Sequence, residues 1–93
     1  MLIEKGKLMD RFSKMIEDIK NDIGRMINNP SELPPYMTIG QLNMIINELD
    51  KMNELRDMKL FMPYYPKGIA DCWDINDTLG NTLLDVLSVY KKL

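Results

Sequence analysis

The chain has 93 residues, of which 45% are hydrophobic and 28% charged, with twelve basic and fourteen acidic groups and a net charge of −2. That composition supports one globular domain and excludes global disorder. Residues 1–30 carry six basic and five acidic groups, residues 31–62 three and five, and residues 63–93 three and four. No segment therefore offers the basic footprint of a nucleic-acid binder or of an anionic-membrane anchor.

The first thirty residues carry the longest periodic signal. From Met9 the apolar positions Phe12, Ile16, Ile19, Ile23 and Met26 follow in steps of three and four. With Met9 at heptad position a, that position holds Leu2, Met9, Ile16 and Ile23. Position d holds Lys5, Phe12, Ile19 and Met26, and position g holds Met1, Leu8, Met15 and Asp22. A two-stranded coiled coil usually places charges at g. The mostly apolar g positions here widen the stripe and suit a bundle helix touching two neighbours. The pattern predicts one amphipathic helix over about 2–28, supported on its polar face by pairs such as Asp10–Lys14 and Asp22–Arg25. Gly6 and Gly24 weaken its intrinsic helicity, so packing must hold it. Such a small domain has a thin stability margin. Met9, Phe12, Ile16, Ile19, Ile23 and Met26 are therefore the candidate self-association seam, and a homodimer is the expected assembly.

Asn28-Asn29-Pro30 ends the helix. Pro30, Pro34 and Pro35 predict a stiff, extended connector over 30–36. A second helix follows over about 39–57. Thr38 and Gln41 match a capping box, Met37 and Leu42 a hydrophobic staple, and the stripe continues as Leu42, Ile45, Ile46, Leu49, Met52 and Leu55. Residues 58–75 are less regular and hold four of the seven aromatic residues. Pro66-Lys67-Gly68 fits a tight turn. The alternatives are a short β-hairpin at about 60–73 and an ordered loop over the helices. Phe61, Tyr64, Tyr65 and Trp73 are the candidate partner surface, since Trp and Tyr are enriched at interface hot spots. Capping of the core by the same rings is the competing explanation. A third helix over about 77–92 starts at an Asp/Asn-rich N-cap and carries Leu79, Leu83, Val86, Leu87, Tyr90 and Leu93 on one face.

Chemistry is sparsely represented. The chain has no histidine and one cysteine, Cys72. A cysteine–histidine or serine–histidine nucleophile pair, an intrachain disulfide and the common structural zinc sites are excluded. No phosphate-binding or dinucleotide-binding glycine motif is present. Asp71, Asp74, Asn76 and Asp77 form the one cation-like group, and helix capping explains it better. The nine methionines suggest either core filler or an adaptable binding face. No apolar run approaches a membrane span, no signal peptide is visible, and cytoplasm is the expected compartment.

These features predict an all-α, three-helix antiparallel bundle-like domain completed by dimerisation. The expected role is a non-enzymatic protein–protein interaction or regulatory module without a cofactor. The alternative is a winged-helix-like DNA-binding regulator, with the second helix in the groove and Leu60–Trp73 as wing. Three basic against four acidic groups between Asn47 and Lys59 weigh against it, because DNA affinity rests on phosphate contacts.

Overall fold

A helix spans Leu2–Asn28 (α1) and sets the long dimension of the molecule. Its 27 residues span about 40 Å at 1.5 Å per residue, against a longest extent of 45 Å. The computed structural model describes residues 2–93, with side chains from Gly6 onward, so the heptad assignment of Met1 lies outside the described residues and those of Leu2 and Lys5 outside the described side chains. Three further α-helices follow among the described residues: Ile39–Leu55 (α2), Tyr65–Cys72 (α3) and Thr78–Tyr90 (α4).

Asn29 closes α1, donating its backbone N–H to Met26 and its side-chain Nδ2 to the Arg25 carbonyl. The connector is not extended as its prolines predict. Pro30–Glu32 form a 3-10 turn with proline at its first position, where the missing N–H has no role. Met37 then donates to the Pro34 carbonyl, closing a β-turn with Pro35 at its second position. Two turns thus fold the connector back across the end of α1.

α2 begins where its cap predicts. Thr38 Oγ1 accepts from the Gln41 N–H at 3.1 Å, and both staple residues, Met37 and Leu42, are buried. Only half of the capping box forms, because Gln41 Oε1 instead accepts from the Trp73 indole. The helix stops at Leu55, two residues earlier than expected. Arg56 adopts the left-handed conformation (φ 51°) and returns its N–H to the Met52 carbonyl. That backbone costs a non-glycine residue roughly 1–2 kcal/mol. The Arg56 guanidinium offsets it with bonds to Ser13 Oγ on α1 and to the Asn53 carbonyl and Oδ1.

Cross-links fix the topology. Ser13 donates to Asn53 Oδ1, and Phe12 stacks on Tyr90 at 5.7 Å, so α1 around Phe12 and Ser13 lies beside the ends of both α2 and α4. Lys20 pairs with Asp50 at 2.6 Å, and this bond holds the ammonium above its ordinary pKa. α1 is therefore antiparallel to α2 and to α4, and α2 and α4 run parallel. Two parallel helices of one bundle need a crossover between them, and residues 57–77 supply it. The hairpin considered for about 60–73 does not form, since Tyr65–Cys72 is α-helical. Pro66 falls in the first turn of that helix, where proline is tolerated, rather than in a hairpin turn. Tyr65, Ile69 and Trp73, four residues apart, form its buried stripe.

One core fills the space between the helices. Phe12, Ile16, Ile19 and Ile23 of α1 meet Leu42, Ile45, Leu49 and Met52 of α2 and Leu83, Val86, Val89 and Tyr90 of α4. Trp73, Tyr65 and Ile69 close it along the crossover. Gly80 permits the close approach of α3 to α4: a Cβ there would lie 3.1 Å from Trp73 Cε3.

Candidate functional site

The predicted self-association seam is consumed within one chain. Phe12, Ile16, Ile19 and Ile23 are at most 1% exposed, and Met26 packs partly buried against the same core. Met9 stays half-buried. The apolar g positions Leu8 and Met15 also pack against the core. The wide stripe thus faces α2 and α4, as its width allows.

The aromatic set divides in two. Tyr65 is buried, with its hydroxyl donating to the Leu83 carbonyl at 2.8 Å. Burial first, and the nearby Glu48 second, raise its phenol pKa. Trp73 is buried against Gly80 and bonds Gln41, with Tyr36 tilted beside it at 6.2 Å. These two rings cap the core. Phe61 is half-buried and Tyr64 is 78% exposed. These two come together in a shallow groove of about 190 Å³ that Met44, Asn47, Glu48 and Lys51 also line. Lys51 Nζ stands 5.6 Å over the Phe61 ring, within cation–π reach. On the same segment Leu60 is 67% exposed and Met62 54%, and Met44 on α2 is 54% exposed.

The backbone beneath this surface is held from two sides. Glu48, itself only 7% exposed, accepts from the Tyr64 N–H at 2.5 Å and from the Tyr65 N–H at 2.9 Å. It caps α3 from another helix, since Tyr64 supplies no side-chain cap of its own. The Tyr90 hydroxyl lies 2.6 Å from the Phe61 carbonyl and 3.0 Å from that of Asp57. Its burial raises the phenol pKa. Glu48 and Tyr90 carry no local motif that marks these roles, because both reach across the fold. Met44 stood out in the sequence only as one of many methionines.

The acidic group at 71–77 does capping work. Asp77 Oδ1 accepts from the Gly80 N–H at 2.8 Å and caps α4, and Asp74 accepts from the Asn76 N–H in a tight turn. No three His, Cys, Asp or Glu side chains among the described residues are grouped to hold a metal ion. No helix among them is long and apolar enough to cross a membrane. The segment assigned as a DNA-binding wing is helical and supplies no hairpin. Neither a protein-family model, nor a curated protein, nor a solved structure matches the chain.

Proposed function

We propose that this chain is a small protein–protein interaction module whose docking surface is Met44, Phe61 and Tyr64, flanked by Leu60 and Met62. The supporting observation is a set of large apolar side chains left in solvent on a backbone that Glu48 and Tyr90 hold in place. Contiguous exposed apolar surface marks contact sites on small soluble domains. Tyrosine supplies a large contact area with little side-chain freedom to lose, and methionine adapts its shape to a partner. The occupant is an apolar segment of a protein chain, and a second copy of this chain is its simplest source. Self-association on this reading uses the Met44–Tyr64 face and leaves the α1 core closed.

The test compares wild type with a Met44→Asp, Tyr64→Asp double variant. Both side chains are exposed, so the variant retains wild-type circular dichroism and thermal midpoint. Light scattering of the wild type reads self-association, and affinity capture from source lysate, with nuclease added, reads other partners. A dimer or a stoichiometric partner that the variant loses supports the proposal. A monomer that captures nothing, or an association the variant retains, overturns it.

A further inference from the structure

A second depression shares no lining residue with the Met44–Tyr64 groove. It opens where the end of α1, the connector and the start of α4 meet, and its volume is about 590 Å³. That lies within the range of small-molecule pockets. Met26, Leu33, Met37 and Leu79 give it an apolar floor, and two of these are methionines able to reshape around a guest. The polar groups are asymmetric in sign. Asp22, Glu32 and Asp77 line it against a single guanidinium, Arg25, which Asp22 already pairs. Asp77 is spent on the Gly80 N–H and on the Tyr36 hydroxyl. Glu32 has no ion pair or side-chain hydrogen bond among the described residues, so its carboxylate is the acceptor left for a guest.

We propose that this cleft binds a small organic cation, an alkyl- or aryl-ammonium whose apolar body lies on the methionine and leucine floor and whose ammonium faces Glu32. The excess of carboxylates selects the cation over an anion of the same shape, and the apolar floor selects it over an inorganic ion. Glu32 holds the charge at the rim, where water still reaches it, so the selectivity is moderate and weakens with salt.

The probes are phenethylammonium and 3-phenylpropionate, which present the same ring with opposite charge. Each is titrated into the full chain while the methyl resonances of Met26, Leu33, Met37 and Leu79 are followed by NMR. Phenethylammonium is expected to give saturable shifts at these methyls and to bind roughly fivefold more tightly than the carboxylate probe. Glu32→Gln should abolish most of that preference while the wild-type amide spectrum elsewhere is kept, because Glu32 is exposed. Equal affinity for the two probes, shifts confined to other methyls, or a preference unchanged in Glu32→Gln would each overturn the assignment.

Discussion

Asp77 serves two neighbours at once. One carboxylate oxygen caps α4, and the other accepts from the Tyr36 hydroxyl at 2.5 Å. That bond, with burial and the charge of Asp77 adding to it, pushes the Tyr36 phenol up to about 12 from its ordinary 10. The folded chain therefore holds this proton more tightly than the unfolded chain does. The stabilisation is fully present below pH 10 and is lost as pH rises through about 12. The raised phenols of Tyr65 and Tyr90 act in the same direction. The urea midpoint is expected to fall steadily above pH 10. Asp77→Asn should bring the Tyr36 titration, followed by ultraviolet absorbance, back toward 10 while α4 keeps its start, since asparagine caps as well as aspartate. Two glycines make a second comparison. A Cβ at Gly24 would meet nothing within 4 Å, so Gly24→Ala should stabilise by about 1 kcal/mol. At Gly80 the new carbon would press on Trp73, whose ring is buried and tied to Gln41. Overpacking costs about 1–3 kcal/mol and outweighs the propensity gain. Thermal midpoints should therefore move up in the first variant and down in the second.

Among the elements, α3 depends most on a distant residue. It has eight residues, too few to persist alone, and its first amides are met by Glu48 on α2. Glu48→Ala would leave those two N–H groups without their carboxylate and should cost about 1.5–3 kcal/mol. Glu48→Gln keeps one acceptor and should lie between alanine and wild type in urea denaturation. Hydrogen exchange at Tyr64 and Tyr65 should quicken in the alanine variant, in step with the stability loss. The same dependence explains what the sequence made legible. α2 and α4 start at Thr38 and Asp77, whose caps lie three residues from the amides they serve, so both starts could be read locally. The cap of α3 comes from 16 and 17 residues upstream. Its local signals, Pro66 and Gly68, suit a turn as well as a first helical turn, and the crossover helix was therefore invisible. Of the four aromatic residues, Tyr64 stands in solvent and Phe61 is half-buried. The burial of Tyr65 and Trp73 depends on the Leu83 carbonyl and on Gln41, partners that spacing does not reveal.

At the scale of the whole molecule, the crossover decides where the heptad stripe goes. A simple up-down-up chain would leave α4 antiparallel to α2. Residues 57–77 instead carry the chain back the length of the bundle, and α4 lies antiparallel to α1 with Tyr90 stacked on Phe12. α1 then has a partner on each side, and the stripe that looked like a seam between two chains becomes the centre of one. The two arrangements differ in what a charge would do to them. Ile16 is 1% exposed, between α2 and α4. Ile16→Lys would place an ammonium among apolar side chains with no carboxylate to meet it. The uncompensated charge costs several kcal/mol. A domain of this size has a stability of roughly 5–15 kcal/mol, with small domains toward the lower end. Circular dichroism of Ile16→Lys should show a large loss of helix and of cooperative melting, to the same extent at low and high protein concentration. Were Ile16 a residue of a dimer seam, the same variant would give a folded monomer with native helicity. Light scattering of that species alongside the dichroism separates the two.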